Sequence, residues 1–264
     1  MPHLPQLVTG LLEQTYSNLE IVFSEGGGTD ESLDFLKSLT DNRIRIIETP
    51  QRISAAENWT RASQAAAGEF TKLICQDDLL YAQAIEQQLE DFELNPSAVM
   101  AIAKRDIVDA RGSVIFQGRG LTGIKDHLVP GPKVIHQCYL QGTNVIGEPL
   151  AVLFKTDVLQ TSLPWIDSNP LMLDLSMYEK VAQEGQVVTR LNSVGAFRVS
   201  NASWSTRLAK TQVDQTRQWQ REYEDQHRDL PKIDRVRATA GRHLQTNLRR
   251  AAYAFLNARG RLAN

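Results

Sequence analysis

Apolar and polar positions change rhythm along this chain. Through the first hundred residues, short β-branched runs alternate with stretches of helical period, the pattern of a parallel sheet layered with helices. Residues 19–23 read as a strand, followed by the turn cluster Gly26-Gly27-Gly28 and a helix that Asp30 caps, running to about Leu39. Residues 43–47 form a second strand, 55–66 a helix, 70–75 a third strand and 82–93 a helix stopped before Pro96; residues 99–103 return as a strand. Ligands of open α/β sheets bind at the carboxyl ends of strands, which directs a site to the neighbourhood of Glu25, Thr49 and Asp77.

Past residue 103 the pattern shifts. Residues 104–109 and 113–117 flank Ala110-Arg111-Gly112, a hairpin signal, and residues 118–149 are rich in Gly and Pro. A strand over 150–154, a helix over 173–184 closed by Gly185, and strands over 187–191 and 194–199 follow. From about Thr206 the chain turns helical, with a break at Leu230-Pro231. In this last stretch Ile233, Val236, Ala240, Leu244, Leu248, Ala251, Phe255 and Leu262 recur at helical spacing as one apolar stripe.

Composition narrows the class. The 264 residues suffice for one large core, and the two cysteines, Cys75 and Cys138, support neither a disulfide framework nor a zinc ribbon. A reducing, cytoplasmic setting is the default. No apolar run of about 18 residues marks a membrane span, and the first six residues lack a signal-peptide pattern. The five histidines show no metal-ligand spacing, and Trp59, Trp204 and Trp219 lack the basic neighbours that argue for nucleic acid. The near-neutral total of −2 hides a division: residues 232–264 hold eight Lys/Arg against the single Asp234, leaving −9 for the first 231 residues. The expectation for this basic end is a helix packing its stripe on the body or on a second subunit to form a homodimer. The alternative is an interfacial helix on anionic lipid, a peripheral membrane contact through 232–264.

Gln76-Asp77-Asp78 directly follows an apolar strand, placing two carboxylates where a ligand would lie. Adjacent carboxylates repel unless a cation or proton is shared, and hard oxygen donors suit Mg²⁺ or Mn²⁺ bound together with phosphates. Gly26-Gly27-Gly28 is no P-loop, since no Gly-Lys-Ser/Thr follows; a tight turn is the better reading.

Several blocks in order carry a resemblance. Residues 14–22 (QTYSNLEIV), 27–30 (GGTD), Glu57-Asn58, 67–70 (AGEF) and 75–80 (CQDDLL) resemble the nucleotide-sugar half of family 2 glycosyltransferases. Residues 142–149 (GTNVIGEP), 173–180 (LDLSMYEK) and 197–199 (FRV) are similar to its acceptor half. The resemblance implies a GT-A fold, a Rossmann-like mixed sheet flanked by helices, and transfer of a sugar, hexosyl or deoxyhexosyl, from a UDP- or dTDP-sugar to a hydroxyl acceptor with inversion. It divides the chain into a nucleotide-sugar half over 1–103, an acceptor half over 104–205 and a helical extension over 206–264. By resemblance Asp77, with Asp78 beside it, matches the metal-binding acid for Mn²⁺ or Mg²⁺, and Asp174 matches the catalytic base. Glu25, Asn58 and Asp77 stand where the family contacts the nucleotide; Gly147 and Glu148 lie near the sugar or the glycan or lipid-linked acceptor. The implied setting is surface-polysaccharide or lipopolysaccharide synthesis at the inner face of a bacterial membrane.

The chain also departs from that pattern. Cys75 stands at the family's first metal-binding acid, Ser200 at a frequent histidine and Gly26 at the second acid of the first loop, so a catalytically degenerate sugar-nucleotide-binding or assembly protein is the rival. A dehydrogenase is disfavoured, because no G-x-G-x-x-G follows a strand. Family members open with an apolar strand, whereas residues 2–7 read as a loop and helix interior. The expectation is an N-terminal truncation, with about 10 to 20 further residues, a strand and its loop, preceding Met1 in the working protein.

Overall fold

The computed structural model describes residues 3–201, 203, 206, 208 and 211–262; Trp204 and the first two residues lie outside them. Helix α1 (Leu4–Leu12) leads into strand β1 (Ile21–Ser24), helix α2 (Ser32–Lys37), strand β2 (Ile44–Ile47) and helix α3 (Ala55–Ala65). Ser54 caps α3, its hydroxyl accepting from the Glu57 amide at 3.2 Å. Strands β3 (Phe70–Thr71) and β4 (Leu79–Leu80) precede helix α4 (Ala84–Leu94), the long strand β5 (Ala98–Val108), β6 (Val114–Arg119) and β7 (Leu128–Pro130). Helix α5 (Gly131–Gln141), strand β8 (Val152–Lys155), helix α6 (Thr156–Thr161), helix α7 (Leu173–Gln183) and strand β9 (Gln186–Arg198) follow. Helices α8 (Gln212–Gln226) and α9 (Lys232–Ala258) end the described chain.

The sheet is mixed, as a GT-A architecture requires. The central parallel pair β5–β9 is flanked in the order β3-β8-β5-β9-β4, with β6 on β5 and β7 on β9. Strand β5 runs across residue 103, so the two halves share one sheet. One face packs Met100, Ile102 and Phe154 on Val134, Ile135 and Tyr139 of α5 and Tyr178 of α7; the other packs Ala98, Ala101, Leu153 and Val188 on Phe92 of α4. Burying both faces explains why β5 reads as an almost unbroken apolar run.

Four expectations change. The parallel sheet of the first hundred residues does not form as one unit: β1 and β2 pair parallel only with each other, and β3 runs antiparallel to β8. The third strand stops at Thr71, after which Lys72 turns its ammonium to Gln88 Oε1 (2.6 Å) and the Val152 carbonyl (3.2 Å), leaving 72–75 beside a cleft. The strands expected over 187–191 and 194–199 are one, because a register shift opposite Ala103 and Lys104 absorbs the polar break and Ser193 donates to Asp106 at 2.7 Å. Residues 149–151 form a 3₁₀ turn before β8. Within the Gly/Pro-rich stretch, to which the sequence assigned no element, α5 uses Gly131-Pro132 to start and Gly142 (φ +59°) to stop.

The C-terminal helices belong to the body. Tyr223 of α8 stacks on Tyr139 (4.8 Å between centroids) and on His227 (4.1 Å), and Gln220 bonds the carbonyls of Tyr139 and Ala238 at 3.0 Å each. Helix α9 crosses α5 where Gly241 and Gly142 meet; a Cβ at Gly142 would land on the Arg242 backbone, and one at Gly241 would sit 2.5 Å from the Leu140 carbonyl. Such an approach admits only the small and polar face, Ala238, Arg242 and Thr246. The expected packing of the apolar stripe on the body is therefore reversed: Ile233, Val236, Ala240, Leu244, Leu248, Ala251 and Phe255 face outward, while Leu262, beyond the helix, is buried.

Candidate active site

A cleft of about 2030 Å³ separates the β1–β2 pair from the main sheet and gathers the residues singled out from the sequence: Glu25, Asn58, Asp77, Asp78, Glu148 and Asp174 all line it. Gly147 lies just beneath, buried.

Asp174 sits in the first turn of α7. Its Oδ1 accepts from the Leu175 amide at 2.7 Å and its Oδ2 from Asn144 Nδ2 at 2.9 Å. The Asn144 side chain also closes its own loop, donating to the Gly147 carbonyl (2.9 Å) and accepting from the amides of Ile146 (2.9 Å) and Gly147 (3.0 Å). Burial, with the negative charge of Glu148 adding to it, pushes the Asp174 carboxyl up to about 7. A carboxylate poised there exchanges protons at neutral pH.

Glu148 is held by Arg105, whose Nε lies 2.5 Å from Oε2. Arg105 comes from β5 and lies buried against two glycines. A Cβ at Gly120 (φ +118°) would stand 2.8 Å from its Nη1, and one at Gly147 (φ +117°) 3.0 Å from Cζ. Gly147 thus provides both a left-handed backbone and the space that the guanidinium fills. From the far side α9 delivers Arg249, which bonds Thr143 Oγ1; Gln212, its amide turned to present oxygen, accepts from Arg249 Nε at 3.1 Å.

Asp77 and Asp78 occupy the turn between β3 and β4. The turn rests on Arg198, whose side chain is fully buried: its Nε donates to the Asp77 carbonyl at 2.9 Å, its Nη2 to Gln6 at 2.7 Å and its backbone N–H to Asp78 Oδ1 at 3.4 Å. Asp77 is half-buried, and Asp78 is 1% exposed, with its Oδ2 lacking a hydrogen-bond partner. Burial raises both carboxyls, Asp78 well above the usual carboxylate range, with the Asp77 charge adding to it. The orphaned oxygen and the paired carboxylates fit a hard cation. Among the described residues no cluster of three or more His, Cys, Asp or Glu forms a complete cage, so the remaining ligands would be phosphate oxygens and water. Cys75 adds nothing to such a set: burial, then the Asp78 and Asp77 charges, keep its thiol protonated.

The other two expected contacts are tied to the protein. Glu25 spends its carboxylate on the amides of Gly27 (2.9 Å) and Gly28 (2.5 Å), and Asn58 exchanges hydrogen bonds with Ser24, accepting from Oγ at 2.7 Å and donating to the carbonyl at 3.1 Å. Both line the wall of the cleft. Sequence reasoning gave no role to Arg105, Asn144 or Arg249. A charge inside the apolar run of β5, an amide between Gly142 and Gly147, and the seven-residue interval from Arg242 to Arg249 were the available signals.

A mixed sheet carrying paired acids at one strand end and a helix-borne carboxylate across the cleft defines a GT-A glycosyltransferase. Residues 2–156 match the model of glycosyl transferase family 2, and the chain belongs to that family. It is 30% identical over 94 residues to the glycosyltransferase GlyG of Streptococcus pneumoniae, covering 34% of this chain and 31% of that protein. It is 23% identical over 215 residues to the Escherichia coli UDP-Glc:alpha-D-GlcNAc-diphosphoundecaprenol beta-1,3-glucosyltransferase WfaP, covering 79% of this chain and 77% of that one. Among solved structures, the mannosyltransferase PcManGT from Pyrobaculum calidifontis, in complex with GDP-Man and Mn²⁺, shares its fold with a TM-score of 0.60 at 16% identity, over 97% of this chain and 72% of that one. S. aureus TarS in complex with UDP-GlcNAc gives 0.61 at 12% identity, over 81% and 62%. The chain thus spans about a third of GlyG and under two thirds of that TarS chain.

Proposed function

We propose that this glycosyltransferase moves a hexosyl or deoxyhexosyl unit from a UDP- or dTDP-sugar to a hydroxyl of a glycan acceptor with inversion, in the cytoplasmic stage of surface-polysaccharide or lipopolysaccharide synthesis. The observation that carries it is Asp174: clamped by Asn144, held near neutrality by burial and Glu148, and sharing the cleft with the Asp77–Asp78 turn. In this mechanism Asp174 takes the proton of the acceptor hydroxyl as that oxygen attacks the anomeric carbon from the face opposite the nucleotide, help worth about 10² to 10⁴ in rate. The sugar–phosphate bond breaks and its electrons leave on the nucleoside diphosphate. A divalent cation, Mn²⁺ or Mg²⁺, bound by Asp77 and Asp78 would stabilise that charge. Asn144 orients the base, and Arg105 fixes Glu148 beside it. Similarity to WfaP supports a lipid-diphosphate-linked acceptor, and the nucleotide sugars bound by TarS and PcManGT set the donor panel.

Nucleotide release from UDP-, dTDP- and GDP-sugars, with Mn²⁺ or Mg²⁺ and candidate acceptors, tests the proposal. Turnover by wild type that Asp174→Asn abolishes supports it. Donor binding without turnover, indifferent to Asp174→Asn, assigns the chain to sugar-nucleotide binding or assembly instead.

A further inference from the structure

Helix α9 has two faces. Ala238, Arg242, Thr246 and Leu256 are buried against the body, whereas Ile233, Val236, Leu244, Leu248 and Phe255 are 53 to 64% exposed. At about 100° per residue these sets point in opposite directions, so the apolar stripe faces directly away from the protein. An apolar stripe about 33 Å long, from Ile233 to Phe255, turned to water on a 27-residue helix, calls for a partner.

The charge on the same helix selects which. Lys232, Arg235, Arg237, Arg250 and Arg259 are exposed, and Arg259 lies over the Phe255 ring at 4.6 Å from its centroid. The helix's single acid, Asp234, has its side chain 15% exposed, 3.5 Å from His136 on the body and 3.8 Å from the exposed Arg237. A second copy seated on this face would bring like-charged helices together. An anionic lipid surface meets both features, accepting the apolar side chains at the acyl boundary and the cations at the headgroups. No described helix is long and apolar enough to cross a membrane, which leaves the helix lying in the surface plane.

We propose that the outward face of α9 docks the protein on an anionic bilayer. The net −9 of the first 231 residues turns the rest of the molecule away from such a surface and fixes which side meets the lipid. Leu248 belongs to the stripe and also lines the cleft, followed along the helix by Arg249, Ala252 and Tyr253. The cleft therefore opens beside the docked face, within reach of a hydroxyl carried at the membrane surface. The docking itself stands apart from the transfer reaction and from the identity of the sugar.

Flotation of the full chain with vesicles of phosphatidylcholine alone, or mixed with phosphatidylglycerol, tests it at low and high salt. The expected result is binding to the anionic vesicles, weakened by salt, and reduced about tenfold or more in Val236→Asp/Leu244→Asp and in Arg250→Glu. These positions point to solvent, and an unchanged melting temperature and circular dichroism spectrum establish that the variants fold. Absence from anionic vesicles at low salt overturns the proposal. So does a dimer in sedimentation that Val236→Asp/Leu244→Asp dissociates without any vesicle binding, an outcome that assigns the face to a second copy.

Discussion

Asn144 Nδ2 donates to Asp174 Oδ2 at 2.9 Å while the other end of the same amide ties down the amides of Ile146 and Gly147. One side chain thereby fixes the loop that carries Glu148 and the rotamer of the carboxylate across from it. Asn144→Ala frees both. Turnover is expected to fall about ten- to a hundredfold, with the KM for donor little changed, because the loss is one of orientation. Steady-state kinetics separate the two constants, and an increase in donor KM alone would contradict the assignment.

The acid limb of the pH–rate profile follows from Asp174. A base must be ionised to work, and a group at about 7 gives activity that rises with pH through neutrality. Glu148 raises that carboxyl by its charge, so Glu148→Gln moves the limb to lower pH. The same displacement acts on stability with a defined sign. The folded state keeps a proton that the unfolded chain releases near the ordinary carboxylate value, so stability is lost as pH rises from about 4 to about 7. Melting temperatures of wild type and Asp174→Asn, compared across that interval, should diverge in favour of the variant as pH increases.

Gly147→Ala is expected to cost about 1 to 3 kcal/mol, through its φ of +117° and the 3.0 Å approach of a Cβ to the Arg105 guanidinium. Activity should fall further than this loss of stability explains, because displacing Arg105 releases Glu148. Denaturant melts and kcat, measured together on one preparation, check both parts.

If a cation completes the Asp77–Asp78 turn, chelation removes activity, and Mn²⁺ or Mg²⁺ restores it with a saturable midpoint. Asp77→Asn raises that midpoint about tenfold or more, while Asp174→Asn leaves metal-dependent nucleotide binding intact. Calorimetric titration of donor with and without metal reads the difference.

Arg249 brings a guanidinium from α9 into a cleft lined by carboxylates. Arg249→Gln should weaken binding of a nucleoside diphosphate about tenfold, and Arg249→Lys should recover little, since an ammonium lacks the planar fork engaged by Thr143 and Gln212. Equilibrium dialysis with UDP measures the effect.

The sequence made much of this site legible, and the obscured parts have physical causes. Asp77, Asp78, Glu148 and Asp174 stood out because short blocks around strand and helix ends keep their order, and all four line one cleft. Helix α5 was hidden because its Gly and Pro serve as caps, which composition does not distinguish from loop. The long β9 was cut in two because the polar Asn192-Ser193, at a register shift that leaves Leu191 and Asn192 out of the pairing, looks like a turn. Glu25 and Asn58 illustrate a different limit: the family resemblance implies a nucleotide contact for each, and only geometry shows their polar atoms engaged by Gly27, Gly28 and Ser24. The apolar stripe of α9 was visible from periodicity, yet periodicity cannot tell an inward face from an outward one. The close approach of Gly142 to Arg242 and of Gly241 to Leu140 decides that.

That glycine contact sets the phase of the whole helix. A slip of one residue would rotate α9 by about 100°, taking Gly241 away from the Leu140 carbonyl and putting a side chain where it now approaches. Arg249 would swing out of the cleft as the apolar stripe turned toward the body. Two residues without side chains thus synchronise the cleft-facing and outward-facing sides of α9, and a substitution at either would be felt at both surfaces at once.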